Sequence, residues 1–156
     1  MSRGGAASGQ KGTAYERELV QAFRAAGWGA LRLPSSGSAT DRELPDVLAG
    51  EPFMLSNDPS RRATSLWAIE AKSGKSTTLY VDEQEVEALR AYAGRWGARA
   101  FISGRFTTQG TSTAHYLLDP DDARITDGGR YGIPQADAAE RAYATIDPDG
   151  RLEVVG

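Results

Sequence analysis

Residues Leu66–Lys75, LWAIEAKSGK, place the tightest constraint on the fold. The run opens as a buried strand and then carries Glu70 and Lys72 two residues apart. Alternate residues of a strand share a face. Trp67, Ile69 and Ala71 therefore point one way, and Leu66, Ala68, Glu70 and Lys72 the other. The charged pair stands side by side on one face, at the C-terminal end of the strand. Asp46 opens the preceding predicted strand, directly after Pro45. If these two strands are antiparallel neighbours, the start of one lies beside the end of the other, and Asp46, Glu70 and Lys72 converge. Two carboxylates at such a point repel unless a proton or a cation intervenes. A magnesium ion would resolve that conflict, polarise a phosphodiester and lower the pKa of a bound water. Lys72 would then orient or deprotonate that water, or stabilise the charge that develops. The plainer alternative is a solvated Glu70–Lys72 salt bridge with Asp46 as a turn residue.

The rest of the chain supplies the layers around this strand. TAYERELVQAFRAAGWG reads as a helix, with Thr13 and Glu16 as a capping box and Gly27 as its left-handed end. Glu16, Leu19, Val20 and Phe23 form one stripe at helical spacing. Ala30–Leu33 and Asp46–Ala49 read as short strands on either side of a Ser/Gly loop. A polar connection, Gly50–Ser65, leads into the opening strand. VDEQEVEALRAYAGRWG is a second helix, capped by Asp82 and Glu85 and ended by Gly97. ARAFISGRF and AHYLLD read as further strands. Past Asp119 the elements are weak, with a short helix expected near Ala136–Tyr143. The order predicts an α/β fold, a central mixed sheet flanked by helices.

Composition narrows the chemistry. The 156 residues suit one domain, and none is cysteine, which excludes disulfides and thiolate metal sites. The single histidine, His115, reads as a satisfied strand residue without a partner nearby. Any metal would be held by oxygen, which favours magnesium, manganese or calcium. No apolar run is long enough to span a membrane. The N-terminus lacks an apolar signal segment, so residues 1–10 read as a loose leader of a cytoplasmic protein. The net charge of −3 is unevenly placed: residues 1–118 hold 14 Lys+Arg against 12 Asp+Glu, while residues 119–156 hold 4 against 9. The acid thus sits in the tail. Only three of the 18 basic residues are lysines, and Lys72 and Lys75 are two of them.

Several segments, in order, resemble the PD-(D/E)xK nucleases, and more closely the archaeal Holliday junction resolvases of the Hjc type. They are KGTAYERELV, ALRLPSSGSATDRELPDVLAG, WAIEAKSGKSTTLYV and EALRAYAGRWGARAFISGRF. The phrase SGSATDRELPDVLAG is similar to halophilic members. The resemblance implies a restriction-endonuclease-like fold over residues 11–120, with 121–156 as an acidic extension, packed or loosely ordered. It implies a magnesium-dependent endonuclease, with manganese as a substitute, that resolves four-way DNA junctions as a homodimer. Asp46 and Glu70 match its metal-binding carboxylates, Glu16 completes the metal site with Ala71, and Lys72 matches the catalytic lysine. Ser38 matches a loop serine beside the active centre. Arg17 and Arg32 match arginines near the scissile phosphate, and Lys11, Lys75, Arg61 and Arg62 are further DNA contacts. Tyr80, Tyr92 and Trp96 match positions used for packing and pairing, with Tyr80 expected in the core and Tyr92 and Trp96 at the dimer interface. Along helix two, Glu85, Leu89, Tyr92 and Trp96 form one side and Val86, Leu89, Ala93 and Trp96 an adjacent, more apolar one. A mismatch or restriction-type nuclease, or a catalytically silent DNA-binding module, are the alternatives. The long Gly50–Ser65 connection and the tail depart from the family pattern.

Overall fold

The computed structural model describes residues 3–34, 44–52 and 65–155, with side chains from Gly12 onward. Lys11, Ser38, Arg61 and Arg62, all expected at the site, lie outside the described side chains. The first helix, α1, runs Arg3–Ala25. Thr13 is therefore interior to the helix and not its cap, because no proline stops the helical backbone upstream. The C-terminus of α1 closes as expected: Gly27 N–H donates to Arg24 O at 3.0 Å and Trp28 N–H to Phe23 O at 2.9 Å, with Gly27 at φ 88°.

Strands β1 (Gly29–Arg32), β2 (Val47–Gly50) and β3 (Leu66–Gly74) follow as an antiparallel meander. A short strand, β4 (Thr78–Val81), leads into the second helix, α2 (Glu83–Trp96), and together they cross over to β5 (Arg99–Phe106). Strand β5 lies parallel to β3, the pairing such a crossover produces. Then come β6 (His115–Leu118), the two-residue β7 (Arg124–Ile125), β8 (Tyr131–Pro134), a one-turn helix α3 (Ala138–Arg141), β9 (Ala144–Ile146) and β10 (Leu152–Val154). The main sheet has seven strands in the order β1-β2-β3-β5-β6-β9-β10, and β4-β8-β7 form a second, three-stranded sheet.

Two apolar layers sandwich the main sheet. On one face α1 buries Leu19, Val20, Ala22 and Phe23 against Val47, Ala49, Trp67, Ile69 and Phe101. On the other, α2 and the small sheet bury Val86, Leu89, Ala93, Leu79 and Ile133 against Ala68, Ile102 and Leu118. Each fully buried Leu, Ile or Phe contributes about 1.5–3 kcal/mol relative to exposure, so β3, apolar on both faces, is the strand that ties the layers together. The segment past Asp119 joins this core: Tyr143 packs 5.2 Å from Phe101 and 6.0 Å from Trp67 between ring centres. Among the described residues, no helix is long and apolar enough to cross a membrane.

Candidate active site

Strand β3 outruns β2. Their ladder ends at Val47 opposite Ile69, and among the described residues β3 continues to Gly74 paired with β5 alone. Asp46 sits where the ladder stops. Its N–H donates to Ile69 O at 2.9 Å, and its C=O accepts from Leu33 N–H at 2.8 Å. The backbone is thus pinned from both sides, and the side chain takes over from the missing strand: Oδ2 accepts from Ala71 N–H at 2.8 Å. In an extended strand one residue's N–H and C=O point to the same edge. The Ala71 carbonyl therefore faces the Asp46 side.

Glu16 reaches the same corner from α1. It lies one turn before Leu19 and Val20, on the stripe that packs on the sheet, and is half-buried. Its Oε2 is 3.4 Å from Arg32 Nη1 on β1. Burial first, and then the adjoining Asp46 carboxyl, raise the Glu16 pKa to about 7 against the pull of Arg32. Burial also raises Asp46, opposed chiefly by the Ala71 N–H. Glu70 is pushed up to about 10 by burial, then by Asp46 and by Glu85. Lys72 is held above its ordinary value; burial works against the ammonium, but Glu85 Oε2 at 2.9 Å, with Glu70 and Asp46 behind it, outweighs that cost.

The result is a row of carboxyl groups. Asp46 is within hydrogen-bonding reach of Glu16 on one side and Glu70 on the other, and Glu70 in turn meets Glu85. Arg32 stands at one end of the row and Lys72 at the other. Touching carboxylates need a shared proton or a cation between them. All the donors are oxygens, the set a hard divalent cation takes. Among the described residues no three such side chains close around one point as a finished cage. The residues fit a divalent cation by donor type and charge, arranged as a line.

Glu16, Asp46, Glu70, Ala71, Lys72 and Arg32 are thus brought together. Arg17 on α1 and Lys75 in the turn after β3 are exposed. Glu85 is the residue that sequence reasoning misassigned. As the third residue of α2 it fits a helix-start acid, yet it pairs with Lys72. Asp82 occupies the N-cap position without a side-chain cap bond and lies 3.4 Å from Arg130. The signal for Glu85 was available in the packing rule: Glu70 and Lys72 share the β3 face that α2 covers. Two further expectations are corrected. His115 does have a partner, for its Nε2 lies 2.8 Å from Glu18 Oε1, which also accepts from Arg105 Nε at 2.8 Å. Burial lowers the His115 pKa, and the His115 contact leads in depressing Glu18 to about 2. Tyr80 is 38% exposed and not core, since it faces outward on β4, where Arg130 covers its ring at 4.3 Å.

A profile of the family described as archaeal Holliday junction resolvase (Hjc) matches residues 7–145. The crossover junction endodeoxyribonuclease Hjc of Sulfurisphaera tokodaii is 27% identical over 124 residues, covering 79% of this chain and 75% of that one. The Archaeoglobus fulgidus protein of the same name is 33% identical over 93 residues, 60% of each chain. A solved structure of Archaeoglobus fulgidus Hjc, titled a Holliday junction resolvase from an archaeal hyperthermophile, superposes with a TM-score of 0.62 at 24% identity. It covers 81% of this chain and 89% of that one. The shared fold is the restriction-endonuclease-like sandwich that the sequence led us to expect.

Proposed function

The chain belongs to the archaeal Holliday junction resolvase family, and we propose that it cuts four-way DNA junctions by metal-dependent phosphodiester hydrolysis, as a homodimer. The observation that carries this reading is the carboxyl row on the open edge of β3, with Lys72 at its end. Glu16, Asp46, Glu70 and the Ala71 carbonyl would hold a divalent cation, magnesium with manganese as substitute. When bound, such an ion supplies Lewis acidity toward a phosphate oxygen and a more acidic water.

The chain's own residues define the remaining roles. The elevated pKa of Lys72 keeps it an ammonium at neutral pH. That suits stabilisation of charge on the phosphate better than proton abstraction. Glu85 fixes where the ammonium stands. Arg32 orients Glu16. Arg17 and Lys75 are exposed and would contact phosphates; by the family resemblance so would Lys11, Arg61 and Arg62, and Ser38 would act at the active centre. Contacts of this kind position DNA without reading its sequence. A two-fold dimer would present two identical sites to opposed strands of the junction, giving paired incisions. In an archaeal cell such an enzyme would meet its DNA in the cytoplasm.

The deciding experiment mixes the protein and magnesium with a labelled four-way junction, and separately with linear duplex of the same arms. We expect symmetric paired cuts near the branch point and little cutting of the duplex. Equal cutting of both would favour a general nuclease, and no cutting of either with any divalent ion would favour a silent binding module.

A further inference from the structure

A pocket of about 420 Å³ opens beside Lys72 on the α1 side of the β3 edge. Gly12 and Tyr15 of α1 form one wall, and Lys72, Ser73, Lys75 and Thr107 the other. The volume lies within the roughly 300–1,000 Å³ of small-ligand sites, enough for one nucleotide and far too small for a duplex.

This pocket is built. Tyr15 is preset, because the Arg105 guanidinium lies 5.0 Å from its ring centre. Arg105 is itself only 8% exposed and is locked by Glu18 Oε1 at 2.8 Å and by Phe106 O at 2.7 Å. The opposite wall is pinned as well. Thr107 N–H donates to Gly74 O at 2.9 Å, and the Thr108 hydroxyl donates to Lys75 O at 3.0 Å. The Lys75 turn is therefore stitched to the end of β5. Gly12 leaves the mouth open, for a Cβ there would meet nothing within 4 Å. The Lys72 ammonium is turned away to Glu85 on the other face, which leaves an aromatic ring, the Lys75 side chain and the hydroxyl-bearing Ser73 and Thr107 in one recess, a set that takes a base on a π-face and a phosphate on a cation.

We infer that this pocket takes a single unstacked nucleotide flanking the scissile phosphate, with its base on Tyr15 and its phosphate on Lys75. The inference rests on the nuclease reading above and adds a source of junction selectivity. Drawing a nucleotide out of intact duplex costs a few kcal/mol of lost stacking and pairing, and least where the stack is already interrupted. The branch point of a junction is such a place.

The test uses four-way junctions carrying 2-aminopurine, or an abasic sugar, at each nucleotide on either side of the cut bond. Proteins compared are wild type, Tyr15→Phe, Tyr15→Ala and Lys75→Ala. At one flanking position 2-aminopurine fluorescence should change on binding wild type and Tyr15→Phe, and not on binding Tyr15→Ala. Tyr15→Ala should weaken junction binding about tenfold. An abasic sugar at that position should weaken wild type by a similar factor and Tyr15→Ala no further. Lys75→Ala, at an exposed turn, should weaken binding without loss of fold. If abasic sugars at every flanking position leave wild-type binding unchanged, the pocket holds no nucleotide, whether or not Tyr15→Ala folds. Normal paired cutting with that result removes this inference alone, while absence of any junction cutting removes the nuclease reading itself.

Discussion

Glu70 carries the opposing demands of fold and site in one side chain. An unfolded glutamate ionises near 4.5, and in the fold Glu70 is pushed to about 10. The folded, metal-free protein therefore keeps a proton that the unfolded chain releases. The stability linked to that proton is complete below pH 4.5 and is lost as pH rises from there toward 10. Glu16 adds to the loss over the narrower interval up to about 7. Near pH 8 the carboxyl row should thus weaken the metal-free fold. Glu70→Gln removes the group at nearly constant size. Scanning calorimetry at pH 8 without metal should show the variant melting higher than wild type by about 2–4 °C, for ~1 kcal/mol, with the gap closing toward pH 5. Magnesium should raise the melting point of wild type more than that of the variant. Cleavage should fall on the order of 10²-fold or more. A variant that cuts at the wild-type rate, or that melts lower at pH 8, would show that Glu70 is not part of a strained metal-binding row.

At the scale of elements, what was legible was what repeats locally. Alternation in β3, the stripe of α1 and the glycines ending both helices all lie within a few residues of chain. So did the convergence of Asp46, Glu70 and Lys72, because it needed only an antiparallel pair. Glu85 was misassigned because a helix-start acid and a lysine partner look alike until α2 is laid on β3. Strands β7 to β10 were missed because two to four residues carry no period; their register comes from β6, β4 and one another. Besides its pairing with β6, the β9–β10 hairpin meets α1 at one turn residue. Gly150 turns at φ 88°, and a Cβ there would stand 2.6 Å from Ala25 Cβ and 2.7 Å from the Ala25 carbonyl carbon at the end of α1. Gly150→Ala combines left-handed strain with a clash against helix backbone, about 2–4 kcal/mol together. Thermal denaturation should show a drop of roughly 5–15 °C. Gly110 shares the positive φ of 87° but has nothing within 4 Å of a built Cβ, so Gly110→Ala should lose much less. Equal losses at both positions would mean that the hairpin does not bear on α1.

For the molecule as a whole, part of the tail's acid is neutralised in place. Asp121 pairs with Arg90 at 2.6 Å and Asp137 with Arg141 at 2.9 Å. A protein of net charge −3 would then meet DNA through local cations. Helix α2 then raises the question of assembly. Its Val86, Leu89 and Ala93 are buried against the sheet, but Trp96, expected to continue that side, is 56% exposed. It stacks on Tyr92 at 6.0 Å with ring planes 24° apart. The described residues leave Trp96 largely uncovered and Tyr92 half-buried beside it, and exposed aromatics of this size are the residues that anchor interfaces. The homodimer we propose would set two sites against opposed strands, and we propose this pair as its seam. The double change Tyr92→Ala and Trp96→Ala removes the seam while sparing Val86, Leu89 and Ala93. Circular dichroism should show a retained fold, and sedimentation a species of half the wild-type mass. Junction affinity should fall, and the remaining cuts should become single nicks in place of paired incisions. A double variant that still sediments as a dimer would put the seam elsewhere on the surface, and a wild type that already sediments as a monomer on junction DNA would remove the dimer altogether.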